Sequence, residues 1–406
     1  MKVLFLHQNM PGQFRHLAAH LAGDPANQVV FATMRADRTV PGVSRVVYTT
    51  ARAANPQTHH YLHQFEDAVL HGQAAVRACL ALKEQGFVPD LVVAHPGWGE
   101  GLFVKDAFPG TPLLNYGEFF YRPFGADVNF DPATPADIDA MCKLRARNAH
   151  LLLALEAADR TLCPTEWQKS VHPAVFHDRI SVAFDGIDSA AVRPDPAASL
   201  RLPGGRVLTG ADEVVTYVAR TLEPTRGFPT LMRALPRLCA LRPQAQIVIL
   251  GGDTVAYGPP APDGRSWRQA LAQEVSIDPA RVHFLDVVPY ADYLRLLQIS
   301  AAHIYLTVPF VLSWSALEAM AAECLVVGSR TAPVEEVIEH GRNGLLVDFF
   351  SPNELAETVA AVLADRGAVA AMRRAARETV LERYALDVCL PRQLAIVSGL
   401  TGRPVG

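Results

Sequence analysis

The sequence predicts an α/β protein of two doubly wound, parallel-sheet domains, and three observations carry that prediction. A chain of 406 residues with 50% apolar side chains is long enough for two separate cores of roughly 200 residues each. Short β-branched or leucine-rich runs alternate with helical patterns in both halves, as βαβ units require. Turn formers separate the halves: Asp185-Gly-Ile-Asp188, then Pro194, Pro196 and Pro203-Gly-Gly205. This places the boundary at residue 190, with domains of residues 1–190 and 191–406.

The strands expected in the first half are residues 3–7, 28–33, 45–48, 91–94 and 113–116. Those of the second half are 214–219, 246–250, 281–285, 302–306, 325–329 and 344–347. Ser351-Pro-Asn-Glu354 is expected to cap a helix with proline at its first position. Apolar helical patterns at 356–364 and about 385–400 close the chain, the last of them placed to pack back on the first domain. The sequence carries neither an internal repeat nor a low-complexity segment.

Composition excludes several function classes. The formal charge is −4 and no Lys/Arg block is present, which argues against nucleic acid as a partner. The apolar start runs into a Pro-Gly turn without a small-residue cleavage site, so it reads as a strand and not a signal peptide. No apolar stretch approaches the ~20 residues of a membrane span. Cysteines 79, 142, 163, 239, 324 and 389 form no C-x-x-C pair, which argues against zinc and disulfides and for a reducing cytoplasm. His59-His60 with His71 has no third ligand at metal spacing, so no metal site is expected. Lys143-Leu-Arg-Ala-Arg147 beside residues 151–155 fits either peripheral contact at the inner face of a membrane or a buried helix.

The segment from Thr307 to Asp348 carries the strongest chemical signal. Ser315-Ala-Leu-Glu318 reads as a capping box that opens a helix between two buried strands. Free N–H groups at residues 311–315 would attract a phosphate. Glu318 can accept hydrogen bonds from sugar hydroxyls, or it can simply reach back to the Ser315 N–H. The combination suggests a nucleotide sugar. In Tyr217-Val-Ala-Arg220-Thr-Leu-Glu-Pro-Thr-Arg226-Gly227, two guanidinium groups follow a strand end and would either neutralise phosphate or stand as surface charges. Gly12, in a Pro-Gly turn after the first strand, would let backbone approach a ligand. His95 and Glu118 lie just beyond two further strands, where an open α/β sheet binds its ligands, and could orient or deprotonate an acceptor hydroxyl. The aromatic run Phe119-Phe-Tyr121 with Phe124 fits an acceptor pocket or core.

These strings resemble the family-4 glycosyltransferases, retaining enzymes with the GT-B fold, in which two Rossmann-like domains face one another across a cleft. The resemblance covers nearly the whole chain and is strongest over residues 214–348. The family motif E-G-F-G-L-P-x-x-E-A aligns with Phe310-Val-Leu-Ser-Trp-Ser-Ala-Leu-Glu318-Ala319. It implies that Glu318 binds ribose hydroxyls and that Leu312, Ser313, Trp314 and Ser315 lie against the donor. Phe310 replaces the first family Glu, which contacts the donor sugar, and Val311 and Ser313 replace the loop glycines. Tyr257-Gly258 and Gly264-Arg-Ser-Trp267 are similar to a bacterial subgroup with Phe at that position. Arg220 matches the Arg, and Arg226 stands for the Lys, of a G-R-x5-K-G segment that neutralises the diphosphate. Gly12 falls in the family's glycine-rich first loop and Phe284 in the segment that wraps the base, while Gly252, after a strand, fits either a loop that faces the donor or a tight turn. Either His95 or Glu118 stands for a family His. The resemblance implies a retaining, metal-independent transfer from a nucleoside-diphosphate sugar, UDP-sugar by default, to a hydroxyl of a glycan, glycolipid, protein or metabolite. The N-terminal domain would bind acceptor and the C-terminal domain donor, with no cofactor. Two rival readings are an epimerase or hydrolase on the same fold and a non-catalytic nucleotide-sugar-binding scaffold.

Overall fold

The structure, a computed structural model, describes residues 1–405. The chain divides into two compact units, the first made of residues 1–186 and the chain from Leu386 onward, the second of Ile187–Ala385. The second unit is therefore shorter than 191–406, because the last helix, Leu386–Thr401, belongs with the first.

In the first unit, β1 (Lys2–Leu6), β2 (Gln28–Thr33), β3 (Val43–Val47), β4 (Leu91–Ala94), β5 (Leu113–Tyr116), β6 (Arg160–Cys163) and β7 (Ile180–Val182) form one sheet in the order β3-β2-β1-β4-β5-β6-β7. Every pairing is parallel. Successive side chains of a strand face opposite ways, and both faces here are buried. Val3, Phe5, Val29, Phe31 and Val93 join one core with Phe14, Leu17 and Leu21, and with Leu394 and Val397 of the last helix. Leu4, Leu6, Val30 and Val92 join the other, with Cys79 and Leu82 of the helix His63–Glu84. The central strands are accordingly near-continuous apolar runs, as a doubly covered parallel sheet demands, while the edge strand β3 has no buried residue.

The second unit opens with an antiparallel hairpin, β8 (Ser199–Arg201) and β9 (Val207–Thr209), so the turn-rich segment read as a domain junction is itself folded. The main sheet follows: β10 (Val214–Thr221), β11 (Gln246–Gly252), β12 (Val282–Leu285), β13 (Ala302–Tyr305), β14 (Leu325–Ser329) and β15 (Leu345–Val347), in the order β12-β11-β10-β13-β14-β15. In both sheets the strand order reverses once, between β1 and β4 and between β10 and β13. Connections leave these strand pairs in opposite directions, which opens a crevice at their carboxyl ends. Ser351 caps the helix Pro352–Ala364 through the Glu354 N–H, as its sequence predicts.

Several buried histidines are held neutral. Burial lowers the pKa of His303, which bonds Thr216 Oγ1 at 2.9 Å, to about 3, and that of His172 to about 4. Each group takes up a proton with an ordinary pKa of about 6.5 only when unfolded. Its stabilising contribution is therefore complete above about pH 6.5 and shrinks as pH falls toward the folded value. Thermal melts should shift downward between pH 7 and pH 5, by on the order of 2 kcal/mol at pH 5 for each such group. A melting temperature flat across this range would contradict the neutral assignment.

Candidate functional site

The turn after β10 is tied to the loop after β13. The Val308 N–H donates to the Thr225 carbonyl at 3.0 Å. Arg226 Nη1 donates to Thr307 Oγ1 at 3.0 Å and to the Val311 carbonyl at 3.3 Å, while its own carbonyl accepts from the Tyr217 hydroxyl at 2.7 Å. Gly227 makes the junction possible. Its φ is +66°, and a Cβ there would stand 2.3 Å from that of Leu306, so any side chain would push the two segments apart. The Arg226 guanidinium lies 5.8 Å from the Phe310 ring and 6.0 Å from that of Tyr257, and the two rings are 5.3 Å apart. These distances are within cation–π range. Arg220, exposed at the end of β10, has no carboxylate partner among the described residues.

Glu318 sits in the helix Trp314–Ala321, where every residue from Ser315 onward is buried. The predicted capping box does not form. Ser313, not Ser315, is the N-cap, and its side chain accepts from the Ser315 N–H. Glu318 is only 6% exposed, and it turns to the helix Tyr290–Ile299, whose Tyr290 hydroxyl donates to Oε1 at 2.7 Å and Tyr293 hydroxyl to Oε2 at 2.6 Å. A buried carboxylate without donors is costly. Burial, and next the Glu318 charge, push the Tyr293 phenol well above its ordinary pKa, so it stays a donor. Each carboxylate oxygen keeps a further lone pair.

Of the N–H groups read as an anion site, that of Ser313 already donates to Tyr305 Oη at 2.7 Å and that of Ser315 to Ser313 Oγ. Phe310 and Leu312 are buried, and Trp314 is half-buried. The remaining donor candidates lie further along the sheet. Gly252 ends β11, and a Cβ there would meet nothing closer than 3.6 Å, whereas Gly251 would clash with the Leu222 side chain at 2.6 Å. Phe284 lies on the edge strand β12 beneath the Arg268 guanidinium, 4.1 Å from the ring centre.

In the first unit, the β1–β4 reversal gathers Gly12, His95 and Glu118. His95 is 1% exposed, stacked on His7 at 4.5 Å and 5.5 Å from the Tyr116 ring. Its Nδ1 accepts from the Gly97 N–H at 3.2 Å, so the neutral ring carries its proton on Nε2, 3.6 Å from Glu118 Oε2. Gln13 bridges the neighbours, donating from Nε2 to Glu118 Oε1 at 2.9 Å while its Oε1 meets His7 Nε2 at 3.0 Å. Burial and the adjacent His95 hold His7 well below its ordinary pKa. Gly12, at φ +53°, lies against the His7 ring, which a Cβ would approach to 2.6 Å. Sequence reasoning left His95 and Glu118 as alternatives, and the structure makes them neighbours. It missed His7 and Gln13, whose signal was their position on either side of the same Pro-Gly turn.

Residues 25–192 match the glycosyl transferase family 4 group, and residues 206–379 match glycosyl transferases group 1. The chain belongs to the family-4 glycosyltransferases. Among its curated relatives are a GDP-mannose-dependent alpha-(1-6)-phosphatidylinositol monomannoside mannosyltransferase of Mycobacterium tuberculosis, 29% identical over 50% of this chain and 51% of that protein, and a D-inositol 3-phosphate glycosyltransferase of a Mycobacterium species, 31% identical over 55% and 48%. The chain spans about half the length of these relatives. Its fold is that of Anabaena HepE, determined in complex with UDP-glucose (TM-score 0.67, 16% identity, 98% of this chain and 100% of that one). It is also that of sucrose-phosphate synthase from Thermosynechococcus elongatus (TM-score 0.70, 16% identity, 99% of each). This family-4 glycosyltransferase has the GT-B fold. Among its described residues, no helix is long and apolar enough to cross a membrane.

Tyr293→Phe removes one of the two phenols that satisfy Glu318 and should lower stability by about 1–3 kcal/mol in a denaturant or thermal melt. An unchanged midpoint would mean that Glu318 is satisfied in another way.

Proposed function

We propose that this chain transfers a glycosyl group from a nucleoside-diphosphate sugar to an acceptor hydroxyl, with retention of anomeric configuration and without a metal ion. The observation that carries this reading is the β10–β13 reversal, where Arg226 is anchored to the loop that leads into the Glu318 helix. Arg226 and the exposed Arg220 hold the diphosphate, with the Leu312 N–H as a backbone donor. The lone pairs that Glu318 retains accept the ribose hydroxyls, while Tyr290 and Tyr293 fix the carboxylate for that task. As the anomeric bond breaks, negative charge collects on the β-phosphate. Two positioned cations there stabilise it by several kcal/mol, on the order of other preorganised oxyanion sites. The acceptor hydroxyl attacks from the face the phosphate leaves, and the departing oxygen takes its proton, so no protein nucleophile is needed.

The first unit supplies the acceptor side, with the carboxylate of Glu118, held by Gln13, and the Nε2–H of His95 as the polar groups that meet it. Gly12 lets the loop approach closely. UDP-sugar is the default donor. Similar proteins are named for GDP-mannose and for UDP-glucose, which makes GDP-mannose the first alternative. Phe310 closed against Tyr257, and the N–H groups already taken at Ser313 and Ser315, favour a second reading as a nucleotide-sugar-binding protein without turnover.

Incubation of the protein with UDP-, GDP-, ADP- and dTDP-sugars and a panel of glycosyl, inositol and lipid acceptors should give an α-linked product from an α-linked donor, undiminished by EDTA. Arg226→Ala and Glu318→Ala should each reduce kcat/KM by about 100-fold or more, as loss of one preorganised charge contact does. Nucleotide binding without product under every acceptor would establish the second reading. A β-linked product would overturn retention.

A further inference from the structure

The turn between Arg220 and Arg226 contains a carboxylate that the reading above does not use. Glu223 is 0% exposed. Its Oε2 accepts three consecutive backbone N–H groups, those of Ala256 at 2.9 Å, Tyr257 at 3.1 Å and Gly258 at 3.1 Å. Consecutive N–H groups converging on one anion form a concave cradle of the kind that binds phosphates, and here the chain fills it with its own side chain. These three hydrogen bonds make the carboxylate an anchor of a loop whose residues Thr254 to Ala256 are otherwise exposed. Gly258 rests on the same turn: a Cβ there would meet Thr225 Cγ2 at 3.3 Å.

What the anchor positions is Tyr257. Its ring stands 5.3 Å from that of Phe310 and 6.0 Å from the Arg226 guanidinium. Glu223 is in turn fixed to Arg226 through the backbone, since its carbonyl accepts the Arg226 N–H at 3.1 Å. One residue therefore sets both the cation and the aromatic surface beside it.

We infer that Glu223 is a positioning residue that latches the Ala256–Gly258 turn so that Tyr257 and Phe310 form an aromatic wall next to Arg226, against which the donor's sugar ring lays an apolar C–H face. The inference rests on the functional reading above for the identity of the ligand, and on geometry alone for the latch. A sugar with few hydroxyls on the face toward Phe310 suits this wall, because a hydroxyl buried there would lose its hydrogen bonds to water.

The two halves are tested separately. Amide hydrogen exchange of the intact protein without ligand should show Ala256, Tyr257 and Gly258 protected in the wild type and exchanging at least tenfold faster in Glu223→Ala. Glu223→Gln keeps an oxygen acceptor and should fall between them. Unchanged exchange in Glu223→Ala overturns the latch. In steady-state assays, Glu223→Ala and Tyr257→Ala should each raise donor KM about tenfold, more than they change kcat, and the double variant should be no worse than either single, the non-additivity of two residues acting as one unit. Glu223→Gln should recover part of the loss. Additive effects, or a Glu223→Ala variant that melts earlier but binds donor normally, would reduce Glu223 to a structural role. A wild-type protein that binds no nucleoside diphosphate overturns the functional reading and the donor half of this inference with it, while the exchange result decides the latch by itself.

Discussion

The candidate donor site depends on one junction, the hydrogen bonds that join the turn after β10 to the loop after β13. Strands on either side of a reversal in sheet order send their chains away in opposite directions, and nothing in the sheet itself holds the two exits together. Here Thr225 and Arg226 do so, through the Val308 N–H, Thr307 Oγ1 and the Val311 carbonyl. Gly227 permits the approach, since no larger residue fits against Leu306. Because Arg226 is itself part of the junction, its charge is placed by the fold and not by the rotamer freedom of a long side chain. Glu318, Phe310 and Tyr257 all take their positions relative to that point.

The first unit repeats the device in a different chemistry. At the β1–β4 reversal the junction is a stack of imidazoles, His7 on His95, with Gln13 passing hydrogen bonds from His7 to Glu118. The pairing of His95 Nδ1 with the Gly97 N–H decides the tautomer and turns an N–H toward the Glu118 carboxylate. The two buried rings stack at 4.5 Å, and burial together with the adjacent His95 holds His7 well below its ordinary range.

Much of the scaffold was legible because parallel strands buried on both faces read as unbroken apolar runs. Residues 91–94 and 113–116 fall on the observed strands. β6 and β7 were not legible: Arg160-Thr-Leu-Cys163 opens on two polar residues, and Ile180-Ser-Val182 spans only three residues. The hairpin β8–β9 reads as a domain junction in the sequence, because a Pro203-Gly-Gly205 turn carries the same signal in either setting. At the site, sequence could place Arg226 and Glu318 at strand and helix ends but not choose their partners. The Ser315–Glu318 spacing suggested a local cap, yet a residue buried among Leu317, Ala319 and two tyrosines from another helix bonds to what surrounds it. Glu223 was invisible for the same reason, since its three donors lie more than thirty residues away.

The most direct test of this account is a crystal structure of the protein grown with UDP or, if it binds more tightly, GDP. The account predicts the diphosphate against the Arg226 and Arg220 guanidinium groups and the ribose hydroxyls on the Glu318 carboxylate, with Tyr290 and Tyr293 still bonded to it. A nucleotide seated elsewhere on the second unit, or a ribose that does not touch Glu318, would contradict it.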